Sequence, residues 1–265
     1  MKFIFIAILI FLISIKSVLS KEFSEVLELE LLKGWRNNNG IHYGGLKVKL
    51  KSGWKTYWRH PGETGFVPVF DWTGSQNLSM AKVIWPNPKK FNDEGMMTLG
   101  YEDFVILPIE FTPLNAGKLI KAKLNITLGI CEKLCIPVAR SLTIKLRASQ
   151  TAIDQDIIEY LDKAPQLMLK NEFKSIKCDF KAEGKNLIFS ADIGFSKDHV
   201  PIETALVELP DSNIWFSIPD IEQSANYLKI FAKGEKSGVE TFVLSRKGIS
   251  ITLIGKNEGS LIQGC

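Results

Sequence analysis

Period-two alternation, interrupted by turn residues about every ten positions, most narrows what this chain can fold into. Tyr43, Leu46, Val48 and Leu50 alternate with Gly44, Gly45, Lys47 and Lys49, as in a strand with one face on a core and its lysines in water. Val26, Leu27, Leu29 and Leu31 among Glu25, Glu28 and Glu30 read as another strand from Ser24. Residues 34–40 then read as a loop. Further strands are expected around 67–72, 82–85, 104–111 and 119–128, and Leu142, Ile144 and Leu146 supply one more. This spacing predicts a β-sandwich. Trp54, Tyr57 and Trp58 read as its core aromatics, with a partner-docking surface as the alternative. Residues 86–100 carry Asp93, Glu94, Met96 and Met97 and read as a long loop serving as a lid.

The alternation breaks once. Across 151–161, Ile153, Ile157, Ile158 and Leu161 fall at helical spacing among Asp154, Gln155, Asp156 and Glu159, which predicts a linker helix ended by Pro165. From Phe173 the strand pattern resumes, at 187–193, 204–209, 214–218, 228–232, 241–244 and 249–254. The expectation is a mainly β chain: an immunoglobulin-like sandwich over 21–148, then a helix-led second β-rich domain over 149–265. With 265 residues, 45% of them hydrophobic, both can bury a core.

Residues 1–20 read as a secretory signal peptide, with Lys2, an apolar run over 3–15 and a small-residue end at Val18-Leu19-Ser20. Removing them takes away Lys2 and Lys16 and no acid, so the formal charge falls from +4 to +2. A near-neutral balance with scattered basic residues gives no argument for nucleic acid or an anionic membrane surface as a partner. No later apolar run approaches membrane-spanning length, so the mature chain is expected to be soluble in an oxidising, exported compartment. Neither a phosphate-cradling glycine loop nor a dinucleotide fingerprint occurs. His42, His60 and His199 stand in unrelated contexts and form no nucleophilic triad pattern.

Chemistry concentrates in Cys131-Glu132-Lys133-Leu134-Cys135. Residues four apart on an extended strand are roughly 13 Å apart at ~3.3 Å per residue, whereas a disulfide needs Cα atoms within about 7 Å. Glu132-Lys133-Leu134 must therefore turn. A bridge closing so short a loop removes little unfolded-state entropy, so its value lies in opening and closing more than in stability. The residues leave three readings open: a redox pair, a structural bridge in a non-catalytic binding module, and a copper-handling site in which the thiols join Met96 or Met97 as soft ligands for Cu(I). Cys178 and Cys265 differ in kind. A bond between them closes a loop of 87 residues, worth about 4–5 kcal/mol by chain entropy, and reads as structural.

Taken in order, Gly53-Trp54-Lys55-Thr56-Tyr57-Trp58-Arg59 with Pro61-Gly62, Phe70-Asp71-Trp72, Trp85-Pro86, Leu99-Gly100-Tyr101, Leu107-Pro108 and Cys131 to Pro137 resemble the N-terminal periplasmic domain of the DsbD thiol:disulfide interchange proteins. The ScsB-like branch is the nearer pattern, and the similarity covers about 24–147. It implies an immunoglobulin-like domain that takes electrons from a membrane-embedded thiol donor and reduces exported thioredoxin-like proteins, as a protein-disulfide reductase component in the periplasm. Cys131 and Cys135 match the redox pair, and Cys135 matches the sulfur that forms the mixed disulfide. Asp93 and Glu94 match an acidic pair beside a cap over the cysteines, where Gly95-Met96-Met97 replaces the cap aromatic. With the chain ending at Cys265, the donor is expected to be a separate protein. No cofactor or metal is called for, since the electrons ride on the two sulfurs.

Overall fold

The computed structural model describes residues 25–265 apart from 94, 185, 210, 211, 213 and 237–245. The signal-peptide reading at 1–20, Glu94 and the strand expected at 241–244 therefore lie outside the described residues. The chain is mainly β. In order come β1 (Leu27–Arg36), β2 (His42–Leu50), β3 (Lys55–Gly62), β4 (Val69–Asp71), β5 (Met80–Val83), β6 (Lys89–Asp93) and β7 (Met96–Glu102). Then follow β8 (Phe104–Thr112), β9 (Ile120–Cys131), β10 (Cys135–Leu146) and the helix α1 (Gln155–Asp162). The remainder is β11 (Gln166–Leu167), β12 (Phe173–Glu183), β13 (Asn186–Phe195), β14 (Ile202–Glu208), β15 (Ile214–Phe216), β16 (Asp220–Ser224), β17 (Tyr227–Lys236), β18 (Ser250–Gly255) and β19 (Gly259–Gln263).

Contacts group the chain into two compact units, one holding residues up to 56 with 68–83 and 101–158, the other 57–67, 84–100 and 159–265. In the first, one sheet runs β1-β2-β8-β5, while β9 pairs with β10, with β4 and with the start of β3. Leu46 and Val48 of β2, Leu107 and Ile109 of β8, and Leu124 and Ile126 of β9 are fully or almost fully buried, and Trp72 meets Phe111 edge-on at 5.3 Å. The lysines of β2 face water as the alternation requires, and register sets Glu28 opposite Lys49 and Glu30 opposite Lys47, each joined as an ion pair.

Three local departures have physical causes. The loop expected from residue 34 is still strand, because β1 takes a bulge between Leu32 and Trp35 and continues to Arg36. Gly34 makes this possible: its φ is +55°, and a Cβ there would sit 1.9 Å from the Tyr43 carbonyl oxygen. The 86–100 segment is a hairpin, not a loop, with Asp93 opposite Met96 and Gly95 at φ +90° in its turn. The helix starts later than expected. Asp154 Oδ1 accepts from the backbone N–H of Asp156 at 3.1 Å and of Ile157 at 3.4 Å, capping it, and Ile157 is fully buried beside Gly45.

In the second unit, sheets β11-β19-β18-β14 and β12-β13-β17-β15, with β16 on β17, enclose a core that includes Phe189, Phe195 and Phe216. Cys178, 2% exposed, is bonded to Cys265 with Cα atoms 5.8 Å apart. Tyr57 and Trp58 are buried, at 3% and 0% exposure. Arg59 stacks over Trp58 at 3.8 Å, donates Nη2–H to Glu208 Oε2 at 2.9 Å and to Thr252 Oγ1 at 3.1 Å, and so ties β3 to β14 and β18. His60 is buried, stacks on Trp215 at 3.9 Å and donates from Nε2 to the Phe216 carbonyl at 3.2 Å.

Burial lowers the His60 pKa to about 4, against about 6.5 in an unfolded chain. The unfolded state takes up this proton first, so the contribution is whole above pH 6.5 and is lost as pH falls towards 4. Between pH 7 and pH 5 the wild type should lose about 2 kcal/mol through this group, read as a falling urea midpoint, and the fall should shrink in His60→Gln. Removing the long bridge with Cys178→Ala and Cys265→Ala should cost up to about 4–5 kcal/mol in the same assay.

Candidate functional site

The cysteine pair sits where β9 ends and β10 begins. The two strands stay in register from Ile120 opposite Leu146 to Cys131 opposite Cys135, so the cysteines face each other across the hairpin. Their Cα atoms are 4.2 Å apart and the sulfurs are bonded. That spacing is near the ~4.5 Å of a non-hydrogen-bonded antiparallel pair, so the bond asks nothing of the backbone beyond ordinary pairing. Glu132, Lys133 and Leu134 make the turn and are all exposed.

The two cysteines differ in access. Cys131 is 2% exposed, whereas Cys135 is exposed. Leu134, 73% exposed, puts an apolar side chain on the surface next to Cys135. On the other flank of β9, Lys55 is opposite Cys131 and Thr56 opposite Ile130, and Thr56 Oγ1 donates to the Gly129 carbonyl at 2.9 Å. Directly opposed residues share a face with Cβ atoms about 4.5–5.5 Å apart. Lys55, Cys131 and Cys135 therefore form one row, with Lys55 only 9% exposed. The turn feeding β3 closes with Trp54 N–H on the Lys51 carbonyl at 3.0 Å, has Gly53 at φ +84°, and carries Glu132 Oε1 3.7 Å from where a Cβ of Gly53 would be.

The other candidates belong to the second compact unit. Asp93, on β6, accepts from Thr98 Oγ1 at 2.7 Å, and its charge, after burial, helps raise the Tyr57 pKa. Met96 is 42% exposed and Met97 half-buried, with Met97 N–H donating to Glu63 Oε2 at 2.6 Å. Lys55 and Leu134 were not singled out by sequence reasoning. Leu134 left a trace, as the one apolar residue of a charged turn; Lys55 left none, because its pairing with Cys131 spans most of the first unit's sequence.

Residues 30–146 match the family model of the thiol:disulfide interchange protein DsbD, N-terminal. The crystal structure of the N-terminal periplasmic domain of ScsB from Proteus mirabilis superposes with a TM-score of 0.65 at 22% identity, over 90% of this chain and 92% of that one. At that identity the likeness speaks for the fold, and it extends through both β-rich parts. No curated protein matches the chain in sequence.

Once the pair is reduced, the difference in burial should govern reactivity. Iodoacetamide is expected to label Cys135 about tenfold or more faster than Cys131 in the folded chain, with the two rates converging in urea, as read by peptide mass spectrometry.

Proposed function

Starting from a DsbD N-terminal-like domain at residues 30–146, we propose that this protein is an exported thiol:disulfide exchange protein. It passes reducing equivalents from a membrane-embedded thiol donor to periplasmic thioredoxin-like proteins. The observation that carries this reading is the hairpin-tip disulfide with one cysteine exposed and its partner buried.

A donor thiolate attacks the Cys135 sulfur, the bond to Cys131 breaks, and Cys131 leaves as the thiolate. The donor's second thiolate then attacks its own bridged sulfur and releases Cys135, so the donor ends as a disulfide and this chain as a dithiol, with two electrons and two protons transferred. In the second half Cys135 attacks the acceptor disulfide, and Cys131 resolves the mixed disulfide by re-forming the intramolecular bond. Access selects Cys135 as the sulfur that meets partners, and Leu134 beside it offers them an apolar contact. Lys55, opposite Cys131, is placed to favour the leaving thiolate. Asp93, Glu94, Met96 and Met97 are the candidates for shielding the pair or handling its protons, and Cys178–Cys265 is assigned a structural role.

Replacing one cysteine at a time tests the assignment. Cys131→Ala is expected to accumulate mixed disulfides with exported thioredoxin-like proteins on non-reducing gels, and Cys135→Ala to accumulate none. Trapping by neither variant would favour a binding module with an inert bridge. Lys55→Met should slow exchange by about fivefold, equivalent to roughly 1 kcal/mol of thiolate stabilisation.

A further inference from the structure

The solvent face of β9 and β10, at the end away from the cysteines, concentrates positive charge that the exchange reaction does not use. A cavity of about 670 Å³ there is lined by Lys33, Lys121, Lys123, Lys145 and Arg147, and by no carboxylate. In a chain with 33 basic and 29 acidic residues, five cations without an acid among them is a local bias.

Register makes the bias costly. Lys121 is directly opposite Lys145, and both are exposed, so two ammonium groups share one face with Cβ atoms about 5 Å apart, an arrangement that destabilises a sheet. The same chain shows the alternative on β1 and β2, where Lys47 and Lys49 each face a glutamate. None of the five cations has an ion pair among the described residues. Asp71 lies within Coulombic range of Lys123. Its own oxygens accept from the Thr73 hydroxyl, the Thr73 N–H and the Asn125 side chain, which hold its pKa below the usual carboxylate range.

The rest of the lining suits an anion as well. Gln76 is held against β9 by paired backbone hydrogen bonds with Lys121 at 2.9 and 3.1 Å, and the Gln150 side-chain oxygen accepts from the Arg147 N–H at 2.9 Å, which leaves its NH2 group to donate. Four of the five cations are lysines, which bind phosphate as point charges from several directions. The volume lies within the range of small-ligand sites, about 300–1,000 Å³.

We propose that this groove binds a multiply charged phosphate-bearing ligand, whether a soluble phosphorylated small molecule or the phosphate headgroup of an anionic lipid. Lys121 is ten residues from Cys131 along β9, roughly 34 Å at about 3.4 Å per residue. An occupied groove therefore leaves the cysteines open to partners, and the proposal stands apart from the exchange reading.

The test uses the full chain at low salt with two probes: sodium tripolyphosphate by calorimetry, and phosphatidylcholine vesicles containing phosphatidylglycerol by co-sedimentation. Binding of tripolyphosphate alone assigns a soluble ligand, and binding of the vesicles alone assigns a headgroup. Lys121→Glu is expected to weaken the binding about tenfold or more. It should also hold or raise the thermal midpoint, by about 1–3 °C, because opposite charges then face each other across the hairpin. Lys174→Glu, the same charge change on exposed β12, should leave binding unchanged. Binding of neither probe, or an equal loss in Lys174→Glu, would overturn the proposal.

Discussion

Antiparallel pairing between β9 and β10 sets where both reactive sulfurs can be. Because the ladder runs unbroken from Ile120–Leu146 to Cys131–Cys135, the cysteines meet as a cross-strand pair, and their bond asks for no departure from ordinary pairing. A slip of one residue would send one of them to the opposite face, since side chains alternate with a period of two. What prevents the slip is the buried set on β9, with Ala122, Leu124, Ile126, Leu128 and Ile130 all at 2% exposure or less. A one-residue slip of β9 would turn these into water.

The same strand explains why the two cysteines differ. Along β9 the exposed positions are Lys121, Lys123 and Thr127, but Leu128, Gly129, Ile130 and Cys131 are buried in succession. Burial on both faces makes Cys131 a sheltered sulfur, while Cys135, one strand out and just past the turn, remains accessible. Parity puts Cys131 on the face that carries Lys121 and Lys123 ten and eight residues earlier, so one face of one strand serves an apolar, redox-capable end and a cationic end. The hairpin is thus a graded surface, and its chemistry changes with distance from the turn.

Much of this was written locally in the sequence. The alternation in β2, the turn forced on Glu132-Lys133-Leu134 and the apolar spacing of α1 depend on neighbours within a few residues, and each was legible as strand, hairpin turn or helix. The strand read at 119–128 in fact runs on to Cys131, buried on both faces over its last four residues. Features set by distant partners were not legible. The bulge that carries β1 past Gly34 is decided by Tyr43 on the neighbouring strand, and the hairpin at 86–100 needed β6 and β7 to find each other through residues with little periodic signal. Lys55 became a site residue only once β3 had docked on β9, and Trp58 was recognisable as core without any hint that Arg59 beside it would reach Glu208.

The two disulfides show how chain separation divides labour between identical bonds. Cys131 and Cys135 are four residues apart, and Cys178 and Cys265 are 87 apart. Opening the long bridge would return to the unfolded chain a large loop entropy, so reduction there weighs directly on stability. Opening the short one returns less, about 2 kcal/mol by the same relation. Less folding free energy is therefore coupled to the redox equilibrium of the short bond than to that of the long one. Under the proposed exchange function, that smaller coupling lets the short bond open within a protein only marginally more stable than its unfolded chain.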